Sequence, residues 1–207
     1  MQATTSNPWH YIPILIPESM KRSQINRIIC EATAYFRNNG WFLPPDPRWD
    51  VTDFGLGDFE NCGLVLVNLA EEAEYCEKLM YARRNQWTPA HCHAKKKEDI
   101  IARNGTLIVQ IWNGHPGAQA ASFQVQVNNR LQTVAHGGEL RLRSGERITL
   151  VPGVYHAFRP ESEACIIGEV STANDDLHDN FFADANVGRF SAIDEDEPAS
   201  IKLLGEA

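Results

Sequence analysis

Long apolar runs and an excess of positive charge are both missing from this 207-residue sequence. The longest apolar runs, such as GLVLV, cover about a quarter of the ~20 residues that a membrane-spanning helix needs. The first residues, MQATTSNPWHYIPILIPES, have no basic region followed by an adequate apolar core, as a secretory signal would. Lysine and arginine (19) are outnumbered by aspartate and glutamate (27), and the net charge of -8 disfavours binding to phosphates. We expect a cytoplasmic protein that binds neither membranes nor nucleic acid.

Cysteine pairs are missing as well. The chain has five cysteines, an odd number, and none forms a CxxC motif. A chain of this length can bury a sufficient core without disulfides, so we expect reduced thiols. Cys92 lies between His91 and His93, and on a strand it would point away from any site that the two histidines share.

The first sixty residues predict one helix and one extended segment. Apolar residues recur at helical spacing between positions 23 and 39, and Gly40 supplies a stop. The prolines of WFLPPDPRW, at 41–49, exclude regular structure and favour an extended crossing segment. We expect a single domain over 1–207, with this part at 1–60 and a barrel with its tail at 61–207.

Beyond residue 60 the sequence changes to short runs rich in β-branched and apolar residues, such as GTLIVQIW, ASFQVQV and ACIIGEV. Turn sequences, among them VNNR, RSGE and VPGV, separate these runs. The pattern predicts a mainly β fold, an antiparallel sandwich or barrel. The tail, SAIDEDEPASIKLLGEA, is acidic and then apolar, which predicts a solvated edge followed by a docked last segment.

Four residues have the types and spacing of a metal site. His91 and His93 would project from one face of a strand, and Glu98, past a short turn, could return a carboxylate to the same ion. His156 would complete the set from across the barrel. Three imidazoles and a carboxylate suit a divalent ion such as manganese, iron, cobalt, nickel or zinc, with positions left open for a substrate. The other histidines, at 10, 115, 136 and 178, have no partner at ligand spacing.

The spacing around these residues resembles the cupin superfamily. The first cupin motif, glycine, five residues, HxH, three or four residues, glutamate, six residues and glycine, fits from Asn85 to Gly105. Asn85 replaces the first glycine, and asparagine tolerates the left-handed backbone conformation best after glycine. The second motif, from Gly145 through Pro152 to His156, matches more loosely. The resemblance implies a cupin-type antiparallel β-barrel, or jelly roll, with an N-terminal helical segment.

A longer resemblance is to the D-lyxose isomerase family of cupin sugar isomerases. It includes DFGLGDFE, TPAHCHAKKKEDII, PGVYHAF and GEVSTANDDLHDNFF, and so extends over most of the chain. It implies a homodimer with a divalent metal, often manganese, bound by three histidines and one glutamate. The activity implied is aldose–ketose isomerisation, between D-lyxose and D-xylulose and secondarily between D-mannose and D-fructose.

The lysine triplet that follows the two histidines needs an explanation, because cations beside a metal site repel the ion. Isomerisation develops negative charge on the sugar oxygens, and a nearby cation would stabilise it. The matching lysine of the family's HxHxxKxE segment is Lys96, which we expect in the pocket as a catalytic and substrate-binding residue. Lys95 and Lys97 are expected to face solvent, and the alternative for all three is a solvated turn.

A proton carrier between C1 and C2 is the other requirement. Glu169 is the first candidate, because an ionisable side chain in the apolar run ACIIGEVS is expected only where it faces a polar cavity. The acids of NDDLHDN follow, and Asp179 is preferred among them for binding a sugar hydroxyl or sharing the proton transfer, while the alternative for these acids is that they cap turns. Glu98 would contact the sugar as well as the metal, and Lys78 and Arg189 are weaker substrate-binding candidates.

Two other functions stay open, and the first of them uses iron with the same four ligands. An iron cupin dioxygenase would need no further acids, whereas an isomerase that passes through a cis-enediol needs at least one. A non-catalytic sugar-binding cupin is the second alternative. A sensor that acts on DNA would normally carry a basic helical module, and the sequence shows none.

Overall fold

The computed structural model describes residues 19–172, 175, 178–188 and 192–206. Within this part the helix α1 spans Arg22–Asn38. The strands are β1 (Met20–Lys21), β2 (Arg48–Thr52), β3 (Leu64–Glu71), β4 (Tyr75–Arg83), β5 (His91–Cys92), β6 (Glu98–Asn104), β7 (Leu107–Asn113), β8 (Phe123–Val127), β9 (Arg130–Val134), β10 (Gly138–Leu142), β11 (Arg147–Leu150), β12 (Val154–Pro160), β13 (Ala164–Thr172), β14 (Phe181–Phe182) and β15 (Ile193–Asp194).

Two sheets contain most of these strands. One has five strands in the order β10-β7-β12-β5-β14, and the other has eight in the order β2-β3-β4-β13-β6-β11-β8-β9. Neighbours within both sheets are antiparallel, and apolar side chains from both, such as Val109 and Ile167, share one core. The predicted mainly β, cupin-type fold is confirmed, although no ladder among the described residues joins the two sheets into a closed barrel.

The helix covers the outer face of the eight-stranded sheet. Its apolar side is buried to 2% exposure or less, as the helical spacing predicts, and consists of Ile25, Ile28, Ile29, Ala32 and Phe36. Side chains alternate along β3, so Val65 and Val67 pack against the helix, while Leu64 and Leu66 face the core between the sheets. The sheet is therefore buried on both faces in this region.

The sheet begins before the predicted boundary at residue 61. The prolines end at position 47, so Arg48–Thr52 is free to pair with β3 as the edge strand β2. Trp49 and Val51 pack under the helix. Asp50 and Thr52 alternate with them and line a cavity between the two sheets.

Both ends of the first cupin motif lie in turns. Asn85 has a φ of +67°, the left-handed conformation that its place in the motif predicts. Gly105 has a φ of +84°, and a Cβ there would lie 2.8 Å from the carbonyl oxygen of Ala164. Glycine at 105 thus lets β6 turn into β7 against β13.

The acidic tail closes over the start of the helix. The buried guanidinium of Arg22 is paired with Glu195 and Glu206, and Asp196 accepts hydrogen bonds from Ser23. Leu203 is buried beside Trp49, which bears out a docked last segment. Among the described residues, none of the helical structure has the length and apolar character that crossing a membrane requires.

Candidate metal centre and active site

Three histidines meet in the cavity between the sheets. His91 on β5 is the direct register partner of His156 on β12, and their ring centroids are 4.2 Å apart. One ligand atom from each of His91, His93 and His156 lies within 4.8 Å of the others. The expectation that His156 comes from across the barrel is wrong, because it belongs to the strand next to His91. Glu98, at the start of β6, is the residue that reaches the cluster from the opposite sheet.

Backbone carbonyls fix the orientation of all three rings. The Nδ1–H group of His91 donates to the Pro89 carbonyl (2.9 Å), that of His93 to Asp179 (2.6 Å) and that of His156 to Val154 (3.3 Å). Since Nδ1 of each ring is engaged by a carbonyl, Nε2 is the nitrogen that each histidine can offer to the centre.

Glu98 places another acceptor among these nitrogens. Its Oε1 lies 2.9 Å from Nε2 of His156 and 3.5 Å from Nε2 of His93. All three atoms are buried, and no donor in the described part of the chain hydrogen-bonds to them. Buried acceptors that face one another without a donor are costly, and a divalent cation among them removes that cost. Three imidazoles and a carboxylate thus fit a first-row divalent ion.

Cys92 does not join the cluster, although it lies between two of its members. Burial raises the pKa of its thiol, which disfavours the thiolate that a metal would bind. Its side chain does not line the cavity, as strand alternation predicts.

A buried lysine bridges two carboxylates beside the histidines. The Nζ of Lys96 is 3.0 Å from Oε2 of Glu98 and 2.9 Å from Oε1 of Glu169. The Nζ of Lys78 lies 3.6 Å from the same Glu169 oxygen. Lys95 and Lys97 are exposed, as expected, so one lysine of the triplet enters the cavity. The charges of the two buried lysines balance those of the two buried glutamates. The lysine charge is therefore neutralised by its partners and need not repel a metal ion.

The electrostatic surroundings favour the protonation states of Glu98 and His91 that can bind a metal. Burial would raise the pKa of Glu98, but the charge of Lys96 and the contact with His156 outweigh it and hold that pKa well below its usual value. Burial, reinforced by the neighbouring histidines, lowers the pKa of His91 well below its usual value. At neutral pH the centre presents an anionic carboxylate and a neutral imidazole.

Asp179 is buried next to the site, but its carboxylate faces the backbone. It accepts hydrogen bonds from the N–H groups of Ala94, Lys95 and Lys96 at 2.9 to 3.2 Å. These contacts favour a structural role over the predicted role in sugar binding or proton transfer. Arg189, the other predicted substrate ligand in this segment, lies outside the described residues.

Several polar cavity residues were not foreseen from the sequence, and Thr88 is one of them. Asp50 and Thr52 from β2 and Asn180 before β14 line the cavity together with the histidines, and Phe54 and Phe182 close one side with their rings 6.2 Å apart. A polar residue alternating with Trp49 and Val51 normally indicates a solvent face. The sequence did offer one signal. Asp50 and Thr52 are two residues apart, as His91 and His93 are, and side chains at this spacing lie on the same face of a strand.

Comparisons with known proteins agree on the family. The family model described as D-lyxose isomerase matches residues 46–206. The chain belongs to the D-lyxose isomerase family. A D-lyxose/D-mannose isomerase of Escherichia coli O157:H7 is 38% identical over 90% of this chain and 98% of its own. A protein of the same description from Serratia proteamaculans is 36% identical over 90% and 97%. Membership makes the chain an enzyme of the sugar isomerase class.

Solved structures show the same fold. The L-ribose isomerase of Cellulomonas parahominis with no ligand superposes with a TM-score of 0.68 at 18% identity, over 86% of this chain and all of that one. The L-ribose isomerase of Geodermatophilus obscurus gives 0.67 at 19% identity, over 85% and 99%. At this identity the likeness establishes the architecture only.

Proposed function

We propose that this protein interconverts D-lyxose and D-xylulose, and also D-mannose and D-fructose, with a bound divalent metal ion. The observation that carries the proposal is the buried acceptor cluster of His93, His156 and Glu98, which adjoins the carboxylate of Glu169 through Lys96. The names of the E. coli and Serratia relatives, D-lyxose/D-mannose isomerase, support the choice of sugars.

The metal ligands in this proposal are His91, His93, His156 and Glu98. Manganese is the proposed ion, and cobalt, iron, nickel and zinc share the preference for this donor set. When bound, the ion would polarise the oxygens on C1 and C2 of the open-chain sugar, which makes the C2 proton easier to remove.

Glu169 is the proposed proton carrier. It lies in the cavity on β13 and would take the proton from C2 of the aldose, which leaves a cis-enediolate that becomes the cis-enediol when O1 gains a proton. Glu169 would then return its proton to C1 as the hydroxyl on C2 loses its own, which gives the ketose. Its hydrogen bond with Lys96 and its approach to Lys78 hold the carboxylate at one place on the cavity wall. A fixed base between the two carbons can serve both of them.

Lys96 has two proposed roles. In the resting site its charge balances Glu98 and Glu169, both of which contact its ammonium group. During isomerisation the same ammonium group would donate to the sugar oxygen on which negative charge develops. Lys78 contributes a second cation to that side of the cavity and would bind a sugar hydroxyl.

The test is a panel of pentoses and hexoses assayed on metal-stripped protein with manganese, cobalt, iron, nickel or zinc. We expect no turnover without metal and formation of D-xylulose from D-lyxose when manganese is restored, with no oxygen consumed. Oxygen uptake would indicate a cupin dioxygenase, and saturable sugar binding without product would indicate a binding protein. Full activity in thoroughly chelated protein would exclude the metal mechanism.

We further propose that the chain forms one cupin domain and functions as a cytoplasmic homodimer. The basis is the resemblance to the family, and sedimentation of the purified protein tests the oligomeric state.

A further inference from the structure

One residue holds both sides of the turn that connects the two sheets at the metal centre. The backbone carbonyl of Asp179 accepts from the His93 ring at 2.6 Å, and its side-chain carboxylate accepts from the three N–H groups that follow His93 in sequence. The carbonyl therefore orients a metal ligand while the carboxylate orients the segment that leads to Lys96.

His93 differs from the other two histidines in how it is oriented. His91 and His156 donate to carbonyls two residues before them, so their own strands hold them. His93 donates to a residue 86 positions later in the chain. Its orientation depends on the docking of the segment that contains Asp179.

The carboxylate contacts show what fixes that segment. Oδ1 of Asp179 accepts from Ala94 (2.9 Å) and Lys95 (3.0 Å), and Oδ2 accepts from Lys96 (2.9 Å). Asp179 is 4% exposed, and it lies outside the residues that line the cavity. Both oxygens are engaged by the backbone, so the carboxylate stabilises the turn instead of facing a sugar.

We propose that Asp179 is a positioning residue that locks the turn at 94–97, so that His93 and Lys96 face the same centre. The inference rests on the proposed function for the role of Lys96, but its effect on His93 concerns metal binding alone. Loss of the Asp179 contacts leaves the fold in place, but the side chains of His93 and Lys96 are then held less firmly toward the centre.

Asp179→Asn tests the proposal with little change of shape. Its amide retains one oxygen acceptor and turns an NH₂ group toward backbone N–H donors, so part of the lock is lost. We expect the manganese affinity, measured by calorimetry, to fall by roughly tenfold or more. The melting temperature of the metal-free protein should fall by roughly 2–6 °C, because one buried backbone N–H group loses its acceptor while the rest of the fold is retained.

Asp175→Asn is the matched control. Asp175 lies in the same segment, but it is exposed and its carboxylate contacts His178. This variant should retain wild-type manganese affinity and turnover. A loss equal to that of Asp179→Asn would attribute the effect to the segment as a whole and overturn the specific role of Asp179.

A double-mutant cycle separates positioning from general damage. If Asp179 acts through Lys96, Asp179→Asn should, at saturating manganese, lower kcat in the wild type and cause little further loss in a Lys96→Ala background. Equal losses in both backgrounds, or unchanged manganese affinity with a lowered metal-free melting temperature, would overturn the proposal. A wild-type protein that binds manganese but converts no sugar would refute the proposed function, while the affinity measurement would still decide the role of Asp179.

Discussion

Two buried cations in this protein are each paired with two carboxylates, and their surroundings differ. Arg22, 2% exposed, joins the start of the helix to Glu195 and Glu206 of the tail. Lys96 joins Glu98 to Glu169 inside the cavity. Around Arg22 the carboxylates reach solvent, with Glu195 58% exposed, whereas the carboxylates of Lys96 are at most 9% exposed.

The difference favours the cavity cluster over the tail cluster as the site of the proposed chemistry. The solvent-exposed carboxylates around Arg22 can be hydrated, and the guanidinium is fixed by the bonds that it makes. Beside Lys96, buried acceptors on His93, His156 and Glu98 remain without a donor in the described residues. A cluster that only stabilises the fold has no reason to retain such acceptors. The tail cluster should therefore affect stability, and the cavity cluster should affect turnover and metal binding.

The largest expected effect is on turnover. Lys96→Ala should lower kcat on the order of a hundredfold or more, because its interaction is strongest where charge develops in the transition state. Metal content should stay unchanged. Lys95→Ala, which removes an exposed neighbour, is the control, and steady-state kinetics compare the two. If both variants remain near wild type, the triplet is only a solvated turn.

A smaller effect is expected on metal affinity. Glu98→Gln removes the anionic ligand. Manganese binding should weaken by roughly tenfold or more, because the negative charge that attracts the ion is lost. Metal analysis after dialysis gives the measurement. Unchanged metal content in this variant would remove Glu98 from the ligand set.

At the tail cluster we expect a change in stability alone. Arg22→Met keeps the buried stem and removes the charge, so Glu195 and Glu206 lose the partner that docks the tail. The melting temperature should fall by roughly 3–6 °C, since the bonds to a buried cation are lost but the acids can hydrate. Turnover per folded molecule should match wild type, and a large loss of kcat would break the contrast between the two clusters.

The smallest expected effect concerns pH. Burial would raise the pKa of Glu31, but hydrogen bonds from Arg83 and Tyr81 outweigh it and lower that pKa below its usual value. A carboxyl whose pKa is lower in the folded state contributes stability above its ordinary pKa of 4.5, and this contribution is lost as pH falls through the lower pKa of the folded state. The melting temperature of wild type should exceed that of Glu31→Gln at pH 6 by a few degrees, and the gap should close toward pH 3. A gap that stays constant would indicate that the charge of Glu31 contributes nothing.

The sequence allowed accurate prediction wherever a local period or spacing determined the structure. The helix at Arg22–Asn38 follows from its 3.6-residue apolar period, and the left-handed Asn85 follows from its place in the cupin motif. The inward orientation of Lys96 rested on resemblance to the family. Each of these depends on one continuous stretch of sequence.

Features that depend on long-range pairing were missed. Strand order alone puts His156 beside His91 and not across the cavity. Asp50 was overlooked because alternation with apolar residues usually indicates exposure, and here the helix buries the apolar face while the cavity receives the polar one. The carboxylate of Asp179 binds a backbone turn more than eighty residues earlier, which local sequence cannot reveal.

The central claim is that Glu169, one of the two acids paired with Lys96, carries the proton between C2 and C1. Exchange of this proton with solvent tests the claim most directly. D-lyxose isomerised in heavy water should yield D-xylulose with deuterium on C1, and Glu169→Gln should bind manganese normally while losing most turnover and exchange. Product without deuterium from wild type, together with near-normal turnover in Glu169→Gln, would contradict the account and indicate direct hydride transfer from C2 to C1.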